Sequence, residues 1–275
     1  MAELGFIGAG NMATALAAGV VKAGLCKAGA IIAADPDQGR RAAFEQAVGA
    51  GVKLTEDNRA VVAGAKTIFL CTKPQIVGDA LKPLAGVFTS GHLIVTILAG
   101  TDAATVHKLA GGKAAVVRVM PNTPMLIGLG AAGLCAGPGA TAEHLAATRR
   151  YLESSAKVID VAPELMNAVT ALSGSGPAYL FYLAEAMIAA GIEMGLTPAQ
   201  SRTLTVQTLI GASQMIDTTG RPPEALRAQV TSPKGTTQAA VEVLEARSVQ
   251  SAIQAAIVRA RDRGVELSQP MKDNH

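Results

Sequence analysis

The chain has 275 residues, enough for one or two domains with a sizeable core. Hydrophobic residues make up 49% and charged residues 16%, a balance that excludes a disordered chain. A net charge of +3 without a clustered basic run leaves nucleic-acid binding without an electrostatic footprint.

The elements begin almost at once. In chain order the strand-like runs are LGFI (4–7), AIIAA (30–34), TIFLC (67–71), LIVTI (93–97), AVVRVM (115–120) and AKVIDV (156–161). They are apolar along most of their length, as strands buried on both faces must be. Ala-rich segments of helical length lie between most of them, the rhythm of a doubly wound, mostly parallel sheet. After Pro163 the strand signal stops and apolar residues recur at helical spacing. Leu180, Leu183, Ala184, Met187 and Ile188 form one stripe, and Val206, Leu209, Ile210, Ser213 and Ile216 another, each suited to a core or a subunit interface. The expected fold is α/β, with an N-terminal sheet domain over 1–162 and an all-helical C-terminal domain over 163–275. The polar tail SQPMKDNH is expected to fray.

The opening MAELGFIGAG has no basic stretch followed by an apolar one, so no signal peptide is expected. Apolar runs are all punctuated before they reach membrane-spanning length. Cys26, Cys71 and Cys135 show neither metal spacing nor a disulfide framework, and suit buried positions in a reducing cytoplasm.

The first strand runs into GAGNMA, where Gly8, Gly10 and Ala13 hold the positions of G-x-G-x-x-G/A. The first glycine makes the tight turn, the second admits a pyrophosphate to the backbone, and the small third residue lets helix and strand pack closely. A strand before and the helical NMATALAAGVVKAG after give the motif its required context for a dinucleotide. The second strand ends at Asp35, where an acid suits the adenosine ribose; Asp35-Pro36 equally suits a helix N-cap followed by proline. Arg40 and Arg41 are also placed to meet a 2′-phosphate, so NADH against NADPH stays open. Two more strands end at Cys71-Thr72-Lys73-Pro74 and at Leu98-Ala99-Gly100, on the edge where ligands bind. Lys73 reads equally as a solvated lysine and as a cofactor-facing one.

None of His92, His107, His144 and His275 lies in a Gly-rich or conformationally special stretch, so no histidine is expected as acid/base. Two segments of the helical half are anomalous: SGSGPAY (173–179) and VTSPKGTTQAAVEVLE (230–245). Each places Ser, Thr, Gly and Pro just before a helix. Pro177 suits a first helical position, and Thr236 or Thr237 suits an N-cap. Read as ordinary connections they are helix–helix turns. Read together they are two loops that present N–H groups to one small carboxylate.

FIGAGNMATAL, CTKPQ, the AG after the strand LIVTI, MPNTP (120–124), ALSGSGPAY (171–179) and VTSPKGTT (230–237) occur in an order and spacing that resembles the Δ1-pyrroline-5-carboxylate reductase family over nearly the whole chain. The resemblance implies reduction of the cyclic imine of pyrroline-5-carboxylate to L-proline by NADPH or NADH, on a Rossmann domain with a helical domain that interlocks two subunits. Homodimers of that family commonly assemble into decamers. The resemblance further implies that Ile7, Gly8, Ala9, Gly10, Asn11 and Met12 hold the pyrophosphate, and that Asp35 and Asn58 lie near the adenosine. Cys71, Thr72, Lys73, Pro74, Ile97, Leu98 and Ala99 would line the cofactor. Ser175, Gly176, Ser232, Gly235, Thr236 and Thr237 would hold the substrate, with Thr237 hydrogen-bonding the ring nitrogen as the catalytic group. Lys234 departs from the family loop SPGGTT, and a lysine fits there only at negative φ or at a cost in strain. Leu129 stands where an acidic or small residue is common, and DTTGRPPEAL lacks a Glu-His pair seen in some relatives. Two alternatives are a β-hydroxyacid-dehydrogenase-like oxidoreductase and a non-catalytic NAD(P)-sensing protein. The first needs a lysine on a core helix, and 163–226 contains none.

Overall fold

A computed structural model describes residues 2–268; the tail from 269 on, with His275, lies outside the described residues. The chain forms two compact units. One comprises the chain up to Ser175 and again from Arg259; the other is Gly176–Val258. The sequence grammar changes earlier, at 163.

The first unit is built on eight strands: β1 (Ala2–Ile7), β2 (Ile31–Ala34), β3 (Lys53–Thr55), β4 (Ala65–Leu70), β5 (Leu93–Thr96), β6 (Ala115–Pro121), β7 (Gly130–Ala136) and β8 (Ala156–Asp160). They lie in the order β3-β2-β1-β4-β5-β6-β7-β8. All neighbours are parallel except β6 and β7, so β7 and β8 run against the other six. β3 and β7 are absent from the sequence reading. β3 is three residues long and half exposed, and β7 reads GAAGLCA, without a β-branched residue. What makes β7 a strand is its antiparallel pairing with β6, in register from Val117–Ala136 to Pro121–Ala132.

Alternation along the strands sorts the core into two faces. Leu4, Phe6, Phe69 and Val117 meet α1 (Asn11–Lys22) and α2 (Gln38–Val48), with α6 (Ala142–Leu152) contributing Leu152. Ile7, Ile68, Leu70 and Ile94 meet α3 (Asn58–Gly64), α4 (Val77–Leu81) and α5 (Ala103–Leu109). Phe6 stacks on Phe69 at 5.1 Å and tilts against Phe44 at 5.7 Å. Burying each such side chain contributes about 1.5–3 kcal/mol. The edge strand β8 is blunted by Arg149 of α6, which donates to the Val158 carbonyl at 2.9 Å and pairs with Asp160 at 2.7 Å.

The chain leaves the sheet through α7 (Met166–Val169), a π-helical turn over Thr170–Gly174, and Ser175, and enters α8 (Gly176–Glu193). The second unit continues with α9 (Pro198–Thr219), α10 (Pro223–Gln229), α11 (Thr236–Ala246) and α12 (Val249–Ser268), whose last turns belong to the first unit. The seam between α8 and α9 is made of small residues: Gly191 is buried against Ser201, whose hydroxyl donates to the Ile188 carbonyl at 2.8 Å. The apolar stripes lie mostly elsewhere. Leu180, Leu183, Val206, Ile210 and Ile216 are exposed, and so are Phe181 and Tyr182 at 63% and 77%. Apolar surface that covers both sides of a helix marks an association surface. Among the described residues no helix is long and apolar enough to cross a membrane.

Candidate active site

The carboxyl ends of β1, β2, β4 and β5 share one edge of the sheet, and the cofactor residues read from the sequence collect there. The Gly8 amide donates to the Ala34 carbonyl and the Cys71 amide to that of Ile7, both at 2.8 Å, so the first turn is tied to both neighbouring strands. Gly8 has φ 96°, and a Cβ there would lie 2.8 Å from the Cys71 carbonyl oxygen. Only glycine fits. Gly10 differs: its φ is −77°, and a Cβ on it would meet nothing within 4 Å. It caps α1 without a side chain, which leaves that helix's first N–H groups uncapped by side-chain oxygens. Ala13 is fully buried against the sheet.

Asp35 is 4% exposed. One carboxylate oxygen accepts from the Ala9 amide and the other from the Asp37 amide, both at 3.0 Å. Asp35 is therefore not the N-cap of α2. Asp37 is, accepting from Arg40 N–H at 3.0 Å, because three residues, Asp35 to Asp37, separate the strand end from the helix. Arg41 is occupied by the Asp35 and Pro36 carbonyls and by Glu56. Arg40 stays half exposed, 3.8 Å from Asp35. Asn58 opens α3, half-buried, behind the N-cap Asp57.

At the end of β4, burial pushes the Cys71 thiol far above the ordinary cysteine value, which makes it inert at neutral pH. The neighbouring Thr72 hydroxyl is buried with no hydrogen-bond partner. Lys73 is exposed, and Pro74 opens a 3-10 turn. Past β5, the Ile97 amide donates to the Leu70 carbonyl and the Leu98 amide to Thr96 Oγ1. Gly100 (φ 69°) packs against Leu267 within the same unit. Open space at Gly10, an uncapped helix start and an orphaned buried hydroxyl together fit a dinucleotide.

The two segments expected from the sequence to hold substrate differ locally from that reading. SGSGPAY is a π-helical turn running into α8, not an open loop before it. The Ser175 amide donates to the Thr170 carbonyl at 2.8 Å, five residues back, in a wide helical turn. Proline removes an N–H and crowds the carbonyl four residues earlier, and an inserted residue relieves both. With its amide used inside the turn, Ser175 has its hydroxyl left to offer. In the second segment the N-cap is Gly235 rather than a threonine, and Thr236 and Thr237 are the first two residues of α11. Gly235 folds back onto Ser232, donating to its carbonyl at 3.0 Å. Lys234 takes the strained alternative, with φ 59°, and its amide donates to Gln238 Oε1 at 2.8 Å. Lys234→Gly is therefore expected to stabilise the chain by about 1 kcal/mol in a denaturant titration, the left-handed strain outweighing the added unfolded-state entropy. Ser175 belongs to the first unit and 232–237 to the second.

The histidines within the described residues hold backbone. His92 bonds Thr89 and the Val62 carbonyl, His107 the Ala114 carbonyl, and His144 completes a capping box with Thr141.

Residues 163–267 match the family model described as pyrroline-5-carboxylate reductase dimerisation, and residues 3–100 match that of NADP oxidoreductase, coenzyme F420-dependent. The pyrroline-5-carboxylate reductase of Pseudomonas aeruginosa is 37% identical over 98% of this chain and 98% of its own. The structure of a Coxiella burnetii pyrroline-5-carboxylate reductase superposes with TM-score 0.87 at 31% identity, over 98% of this chain and 99% of the other. That of Plasmodium falciparum pyrroline carboxylate reductase with NADP bound does so with TM-score 0.88 at 26% identity, over 98% of both chains.

Proposed function

Because the chain belongs to the pyrroline-5-carboxylate reductase family, we propose how its residues reduce 1-pyrroline-5-carboxylate to L-proline, the last step of proline biosynthesis. The full-length relationship at 37% identity carries the reading. When bound, NADPH or NADH would supply a hydride to the carbon of the imine C=N bond, C2 of the pyrroline, which becomes C5 of proline.

The protein's part is positioning. Ile7 to Met12 form the pyrophosphate cradle, with N–H groups of the α1 terminus aimed at the anion. Asp35 and Asn58 lie on the adenosine side, and Cys71 to Pro74 with Ile97 to Ala99 line the cofactor. Ser175, Gly176, Ser232, Gly235 and Thr236 hold the substrate carboxylate and ring. Thr237 hydrogen-bonds the ring nitrogen and passes a proton with water. A protonated imine is already electrophilic, so orientation supplies most of the barrier reduction and no strong acid is required. This agrees with three histidines engaged in holding backbone. Thr237→Val is expected to lower kcat about 10–100-fold, at or below the range for a full general acid, with NADPH affinity unchanged. Unchanged kinetics would remove Thr237 from the mechanism.

We read 1–162 as the dinucleotide-binding domain and 163–275 as the substrate-binding and dimerisation domain. The match to a dimerisation family over 163–267 and the exposed apolar helices of 176–258 support a homodimer through the helical half. The reading extends to a decamer of five such dimers, working in the cytoplasm. A solution mass of ten chains tests the assembly; a mass of two chains at micromolar concentration contradicts it.

A further inference from the structure

Asn122 follows β6 and stands at the N-cap of a 3-10 turn, Thr123–Ile127, yet its side chain does not cap that turn. An asparagine in this position ordinarily turns its oxygen onto its own helix. Here it bridges two other segments. Its Oδ1 accepts from the Ala131 amide at 2.9 Å, at the start of β7. Its Nδ2 donates to the Ser173 carbonyl at 3.1 Å, inside the π-helical turn. The side chain is buried, with residue exposure of 9%.

The choice of carbonyl has a reason. In a regular helix the Ser173 carbonyl would accept from residue 177, which is Pro177 and has no N–H. Asn122 supplies the donor that proline removed. Neighbouring contacts fix the same turn: Met120 packs its methyl against Gly174, where a Cβ would lie 2.7 Å from it, and Val169 packs against Gly133. The Ser173 hydroxyl is engaged by the Val169 carbonyl. The Ser175 hydroxyl has no partner among the described residues. The Ser175 amide bond, to the Thr170 carbonyl, therefore lies within the turn Asn122 holds.

We propose that Asn122 is a positioning residue for the reductase, which sets the orientation of Ser175 toward the substrate by supplying the hydrogen bond that Pro177 cannot make. This rests on the placement of the substrate at Ser175. Neither side-chain bond of Asn122 touches the Gly8–Gly10 cradle.

Asn122→Asp keeps the acceptor for Ala131, removes the donor to Ser173 and sets a carboxylate against its carbonyl. The expected result is faster hydrogen–deuterium exchange in peptides covering 170–178 and a KM for pyrroline-5-carboxylate raised roughly tenfold or more. The NADPH dissociation constant should stay within about twofold, since the cradle makes no bond to Asn122. Asn122→Ser, smaller and uncharged, takes its place if Asn122→Asp does not fold, with the same expected pattern. Unchanged exchange overturns the proposal, as does a shift in NADPH affinity as large as that in KM. Ser175→Ala separates the remaining failures. If Ser175→Ala raises KM and the Asn122 variant, despite faster exchange, does not, Asn122 is not a positioning residue. If Ser175→Ala itself leaves KM unchanged, the placement of the substrate at Ser175 fails, and with it the proposal.

Discussion

Gly10→Val is expected to leave the fold nearly intact and to weaken NADPH binding about 100-fold, a loss of about 2.8 kcal/mol. The reasoning turns on the difference between two glycines. Gly10 has an ordinary extended backbone, φ −77° and ψ −179°, and space on the side where its Cβ would stand. Valine adopts that conformation without strain. As an N-cap it is poorer than glycine, so stability falls by about 1 kcal/mol at most. Nothing in the chain accounts for a glycine there, and a pyrophosphate approaching the backbone does. Gly8→Ala should behave otherwise. Its φ of 96° and the 2.8 Å approach to the Cys71 carbonyl make alanine destabilising in the absence of any ligand, by roughly 1–3 kcal/mol from backbone strain alone. Calorimetry with NADPH, beside thermal unfolding of both variants, separates the two roles. Gly10→Val with unchanged affinity would move the pyrophosphate elsewhere.

The second large effect is expected at Asp35. Its carboxylate accepts from the Ala9 amide in the middle of the cradle. Asp35→Ala leaves that buried N–H without a partner, at about 1–3 kcal/mol, and loosens the loop proposed to receive the pyrophosphate. Both cofactors share the pyrophosphate, so KM for NADPH and for NADH should rise by a similar factor, roughly 10- to 100-fold. A side chain whose main work is to hold the ribose hydroxyls behaves differently: its removal penalises NADH and spares NADPH. Side-by-side kinetics with the two cofactors decide between these outcomes. A loss confined to NADH would return Asp35 to the ribose.

What could be read from the sequence follows the range of the interactions involved. The buried strands LGFI, TIFLC, LIVTI and AVVRVM declare themselves by composition, and GAGNMA by its place between strand and helix. β7 does not, because Gly and Ala form a strand there through pairing with β6 and β8. The change to helices after Pro163 was legible. That Leu180 and Val206 face outward, while Gly191 and Ser201 make the intrachain seam, was not: a helical stripe looks the same whether a neighbouring helix or a partner subunit covers it.

The site residues divide in the same way. Glycines that need special backbone announce themselves through spacing. The bond from Ala9 to Asp35 spans 26 positions and that from Asn122 to Ser173 spans 51, so no local pattern encodes either. Gly, Ser and Pro in SGSGPAY signal a departure from a regular helix, and do not distinguish an open turn from a widened one. Lys234 gave a choice between negative φ and strain, and only the loop geometry settled it for strain.

The central claim is direct hydride transfer to the cyclic imine. Its most direct test is reduction of pyrroline-5-carboxylate by NADPH or NADH dideuterated at nicotinamide C4, with mass and NMR analysis of the product. The account predicts L-proline carrying one deuterium, at C5, formed in equal amount with the oxidised cofactor. No turnover with either cofactor, or proline without deuterium at C5, would contradict it.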